Sequence, residues 1–250
     1  MTAPLCIDYR FDTDGGARHL YPVQLDPATL ARLAPPHQTL PEWTRLGRHQ
    51  CPDCPLHADK ETHCPMAVAL VDLQDFANNL ESFSVLHVTV STPERETRAA
   101  VSAQRGISAL MGLMIATCAC PDVAWLRPMA RFHLPLATEE ETIYRAVSMF
   151  LLEQYFRQRN GLPADLTLDE LRRRYQRLHE INLCMAERLK DVATNDAPVN
   201  AVVFLDLFAK ALPYSVDDSL AELEYLFPAA DAREYGSSDF DASSAAQALP

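Results

Sequence analysis

Three cysteines fall within fourteen positions in CPDCPLHADKETHCPMA, residues 51–67, and a proline follows each of them. The gap of two residues between Cys51 and Cys54 lets both sulfurs of one turn reach a common ion, and Cys64 comes nine residues later. Tetrahedral zinc takes four N or S ligands, so three thiols leave one position to fill. Of the seven cysteines, the fourth in a Cys-Pro pair is Cys120, in TCACPDVAW. With 18 prolines in 250 residues, chance gives about half of one such pair. Proline pushes the residue before it into extended backbone, which projects a sulfur from the end of a loop. The expected ligand set is therefore Cys51, Cys54, Cys64 and Cys120, with His57 or His63 as the alternative fourth ligand. Zinc is the first expectation because closed four-ligand sites serve stability. An iron–sulfur cluster is the second, since it takes the same four thiolates. Cys6, Cys118 and Cys184 lack the proline and are expected to be ordinary thiols.

Other residue types could also do chemistry. CPDC has the Cys-Pro-x-Cys form of dithiol redox enzymes, whose attacking thiol follows a buried strand and opens a helix. The preceding TRLGRHQ is too polar for that strand, and Pro55 follows the second cysteine directly. WLRPMARFHLPLATEEETIYRA, residues 125–146, gathers Arg127, Arg131 and His133 ahead of three glutamates, including Glu140. An imidazole among guanidinium groups could bind an anion or act as an acid–base catalyst. Arginines tying a loop to carboxylates is the plainer reading. LRRRYQRLH carries Arg172, Arg173, Arg174 and Arg177 around a helix, which reads as a solvated or interaction face. The chain lacks G-x-S-x-G and H-E-x-x-H, and its seven glycines leave little for a phosphate loop.

The elements that must position these residues follow from periodicity. Leu5, Ile7, Tyr9 and Phe11 alternate with polar neighbours, and TDGG leads into RHLYPVQLD, a hairpin signal. FSVLHVTVS and ETRAAVS around TPER form a second hairpin. Together they predict one small four-stranded antiparallel sheet, with residues 26–82 inserted between the hairpins. CPMAVALVDLQDFANNL and ISALMGLMIAT have helical spacing. TEEETIYRAVSMFLLEQYFRQRNG opens with a capping box, Thr138 and Glu141, and ends at Gly161. Apolar residues nearly encircle its middle, which predicts a central helix. The next helix opens on Thr167 and Glu170, and two more are expected at 198–212 and 216–227. The fold class is α+β: the sheet, a metal-clipped loop and a mainly helical C-terminal part. One domain is expected over 1–227, with sheet and cysteine loop in 1–105 and helices in 106–227, followed by a disordered acidic tail at 228–250.

A net charge of −12 argues against a general nucleic-acid surface. No apolar run reaches the length of a membrane span. The opening MTAPLCIDYRFDTDGG does not read as a secretory signal, so a cytoplasmic, reducing location is expected.

The segments CPDCPL…CPMA, the Cys120-Pro121 pair and LRPMARFHLP resemble those of a family of uncharacterised bacterial proteins, over about residues 5–227. That resemblance implies a bacterial cytosolic protein with no established activity, and carries over no catalytic residue. The expectation is a non-enzymatic regulatory or interaction protein with a structural zinc site and an unidentified protein partner. An iron–sulfur or thiol redox sensor is the alternative, and a metal-dependent enzyme with an open site near His133 is a further one.

Overall fold

In a computed structural model of the chain, residues 3–35 and 37–227 are described, with 211 and 214–219 described by their backbone alone. The tail expected at 228–250 lies outside the described residues.

Two hairpins build the sheet. Strands β1 (Leu5–Thr13) and β2 (Arg18–Leu25) pair in register from Leu5 opposite Leu25 to Asp12 opposite Arg18. Their turn closes where Gly16 donates to the Thr13 carbonyl, and Gly16 takes a φ of 80° that other residues resist. Strands β3 (Val85–Ser91) and β4 (Glu96–Ser102) form the second hairpin, and β1 pairs with β3 to give the antiparallel order β2-β1-β3-β4. Alternation does what period two demands: Ile7, Tyr9 and Phe11 are buried, with Asp8 exposed between them. Leu86, Val88 and Val90 continue the same buried face.

Helix α3 (Ala103–Thr117) lies on that face and is the true central helix, with eleven of its fifteen residues buried. Gly106 permits the close approach, because a Cβ there would stand 3.0 Å from Val88 Cγ2. CPMAVALVDLQDFANNL forms two short helices rather than one, α1 (Pro65–Ala69) and α2 (Val71–Ala77), separated at Leu70. Phe76 of α2 stacks on Phe11 with ring centroids 5.4 Å apart and seals one end of the sheet.

After a turn of 3₁₀ helix at Pro121–Leu126 come α4 (Arg127–Arg131), α5 (Glu139–Arg159), α6 (Asp169–Lys190) and α7 (Ala197–Leu223). The α5 capping box forms as expected: Glu141 N–H donates to Thr138 Oγ1, and Thr138 N–H to Glu141 Oε2. At its other end, Gly161 (φ 74°) donates to Gln158 and Leu162 N–H to Arg157, a Schellman closure.

Three expectations need correcting. α5 is not central: Leu152, Tyr155 and Phe156 on it are exposed, while its buried stripe of Ile143, Ala146, Val147 and Phe150 shares a small second cluster with residues of α6 and α7. α6 is not capped by Thr167. Asp165 takes that part, accepting from the N–H groups of Thr167 (2.8 Å) and Glu170 (2.7 Å), with Leu168 at φ 64° between. Finally, one helix, α7, runs through Pro213 where a break is expected. A proline removes one intrahelical hydrogen bond, yet the backbone continues as a single helix to Leu223.

A buried thiol cluster and an arginine-lined cavity

The cysteine segment is held at both ends by backbone pairing. Leu46 N–H donates to Thr62 O at 3.0 Å, and Cys64 N–H to Thr44 O at 2.7 Å, so the chain leaves at 46 and returns at 62. Inside, Cys54 N–H donates to Cys51 O at 3.3 Å across a turn in which Asp53 sits at φ 52°. Cys64 and Cys120 occupy equivalent places. Each is the extended residue before a helix (ψ 119° and 123°), with its proline in the first helical turn. The backbone reasoning from the Cys-Pro pairs therefore holds at both sites.

Electrostatics couple several of the sulfurs. Burial pushes the Cys51 thiol up to about 12, and Cys184, Cys64 and Cys54 add to this, with a side-chain hydrogen bond between Cys51 and Cys184. Burial pushes Cys120 up to about 11 against the opposing Asp122 N–H, with Cys64 and Cys54 among its neighbours. Burial likewise pushes Cys118 up to about 12, with Cys120 and Cys64 nearby; Cys120 N–H donates to its sulfur at 3.5 Å. Cys54 and Cys64 thus bear electrostatically on both Cys51 and Cys120, Cys184 bears on Cys51, and Cys120 on Cys118. Only Cys6 stands apart, on β1. No signal at the level of spacing marks Cys184, since only the packing of α6 brings it to Cys51.

Among the described residues, no group of three or more His, Cys, Asp or Glu side chains is arranged to hold a metal ion. The metal-clipped loop is thus not shown. Of the alternative ligands, His57 is exposed, while His63 directs Nδ1 to Thr44 Oγ1 at 2.7 Å. Protein groups clip the loop instead. Arg188 of α6, 2 % exposed, donates to the carbonyls of Trp43 (3.1 Å), Arg45 (2.7 Å) and Leu46 (2.9 Å). Arg48 and His49 add contacts to Asp191 at 2.7 and 3.0 Å. Sequence reasoning missed Arg188, which looks like any helix-surface arginine.

Arg127, Arg131 and His133 go three separate ways. Arg127 donates to Cys118 O at 3.4 Å, and its buried Nε has no partner. Arg131 is exposed over the Phe132 ring, 5.3 Å from its centroid. His133 turns inward, its Nε2 2.6 Å from the Tyr9 hydroxyl. Burial, helped by the Arg145 guanidinium, holds that imidazole neutral, down at about 3, and burial pushes the Tyr9 phenol well above its ordinary range. Glu140 is remote from this pair and accepts from the Tyr225 hydroxyl at 3.2 Å. The four α6 arginines are tied up in ion pairs, Arg172 with Asp169, Arg173 with Glu170, Arg174 with Glu153 and Arg177 with Asp122. Two of these lock α6 to its neighbours.

His133 lines a cavity of about 170 Å³ between α3, α4, α5 and α7 and the 132–137 segment. Its walls are mainly apolar, with Arg105, Arg145 and Tyr175 also on them, and no cysteine lines it. Among the described residues, no single helix is long and apolar enough to cross a membrane.

No curated protein and no solved structure matches the chain. A family model does, over residues 7–228, and the chain belongs to that family, a domain of unknown function (DUF6901).

Proposed function

We propose that this is a non-enzymatic regulatory or interaction protein in which Cys51, Cys54, Cys64 and Cys120 bind one thiophilic ion, zinc in the first place. The reading is supported by the four Cys-Pro pairs together with the electrostatic influence of Cys54 and Cys64 on Cys120 across more than fifty residues of chain. Neutral thiols make only weak contacts, whereas a soft cation converts them to thiolates and releases protons. The same protonation counts against a dithiol redox reaction, which needs a thiolate near neutral pH while Cys51 stands at about 12. An open metal site worked by His133 finds no support, because the cavity His133 lines contains no cysteine. An exposed apolar face on α5, with Leu152, Tyr155 and Phe156, supports an interaction role.

Elemental analysis and an absorption spectrum of anaerobically purified protein test the reading. About one zinc per chain in a colourless protein is expected, with affinity falling at least tenfold in Cys120→Ser. A brown protein with broad visible absorbance instead identifies an iron–sulfur cluster on the same thiols. Protein that neither carries nor takes up metal under reducing conditions overturns the proposal.

A further inference from the structure

Independently of the cysteines, we propose that the cavity between α3, α5 and α7 binds a small apolar monocarboxylate. Two guanidinium groups reach this cavity from different helices. Arg105 of α3 makes one hydrogen bond, to Leu136 O at 3.2 Å. Arg145 of α5 makes two, both from Nη2, to Met129 O (2.9 Å) and Phe132 O (2.9 Å). Neither has an ion-pair partner among the described residues, whereas Arg172, Arg173, Arg174 and Arg177 each have one. No Asp or Glu lines the cavity, in a chain whose net charge is −12. The nearest carboxylate acting on Arg145 is Glu141, which is committed to the α5 capping box.

Charged groups on an apolar wall without a counter-ion are costly, and an anion that brings its own apolar body relieves that cost. His133 adds a further donor. When Tyr9 donates to Nε2, the hydrogen sits on Nδ1, for which no protein acceptor is present among the described residues. The remaining surface is supplied by side chains such as Leu113, Leu178, Phe204 and Phe208. A volume of about 170 Å³ is close to that of a cavity that takes one benzene ring, so the ligand body is one aromatic ring or a chain of about eight carbons. A single carboxylate matches two guanidinium edges in so small a space, and a dianion carries a larger desolvation cost.

Octanoate and 3-phenylpropionate are the probes, with octanamide as the uncharged control, followed by calorimetry and by the methyl signal of Met129. A carboxylate dissociation constant of about 100 µM is expected, with octanamide at least tenfold weaker. Arg105→Met should weaken octanoate about tenfold while leaving octanamide unchanged. Ala109→Phe, which fills the cavity from α3, should abolish both. Circular dichroism checks that each variant is folded. Equal binding of octanoate and octanamide overturns the charge assignment, binding that survives Ala109→Phe overturns the location, and no saturable binding of either carboxylate at about 1 mM overturns the proposal.

Discussion

The two ends of α3 carry opposite kinds of unfinished chemistry. Past its C-terminus, burial holds the Cys118 and Cys120 thiols protonated, with the Arg127 guanidinium beside Cys118. Along its body, Arg105 shares a cavity with Arg145, and no anion answers their charge. The entry to the thiol loop is clamped by an arginine whose donors meet three backbone carbonyls. At the cavity end the arginines hold their own segment with one or two bonds each and retain donors to spare. Similar side chains thus serve as a structural clip in one region and as ligand-seeking groups in the other. The number of carbonyls each one meets makes the difference.

The comparison breaks most sharply at Arg188. Arg188→Met leaves three buried carbonyls without their donor and should cost about 3–4 kcal/mol in urea unfolding. Proteolysis within 47–63 should become faster, with octanoate binding unchanged. If the variant is as stable as the parent, the clamp is not what holds the thiol loop.

Acid should act on the cavity end. The His133 imidazole is at about 3 in the folded chain against an ordinary 6.5, so between those values the unfolded chain binds the extra proton and stability rises with pH. Taking the protein from pH 7 to pH 4 should therefore remove about 3 kcal/mol that a His133→Gln variant does not lose. Parallel pH curves for parent and variant would show that another group is responsible.

Smaller effects sharpen the boundary between the regions. Thr138→Ala removes the acceptor for Glu141 N–H at the start of the helix that carries Arg145, and should cost about 1 kcal/mol in the same unfolding measurement. Leu152→Glu, on the exposed face of α5, should change stability by no more than about 0.5 kcal/mol. It should nevertheless weaken any partner captured through that face, as read by a pull-down against the parent chain.

Wherever the relevant forces are local, the sequence sufficed. Alternation at Leu5–Phe11 and the glycines of TDGG specify the first hairpin. Thr138, Glu141 and Gly161 bound α5, and Cys-Pro pairs impose extended backbone at Cys64 and Cys120. Apolar periodicity marks α3 and α5 alike, but which of the two is buried depends on what packs against them. That is why periodicity alone points to α5 as the central helix while packing assigns that place to α3. Asp165 displaced Thr167 as a cap because a left-handed Leu168 re-aims the turn, and no propensity announces such a residue.

Residue type and spacing alone determined that this chain has a four-stranded sheet, a helical second half and a set of Cys-Pro thiols in extended backbone. Tertiary structure alone decided that Cys184 meets Cys51, that Arg188 clips the entry to the thiol loop, and that Arg105, Arg145 and His133 meet around one cavity. Hydrogen bonding and periodicity act over a few residues and leave a local trace. Burial and charge act between side chains that are neighbours only after three helices and a sheet have closed on one another.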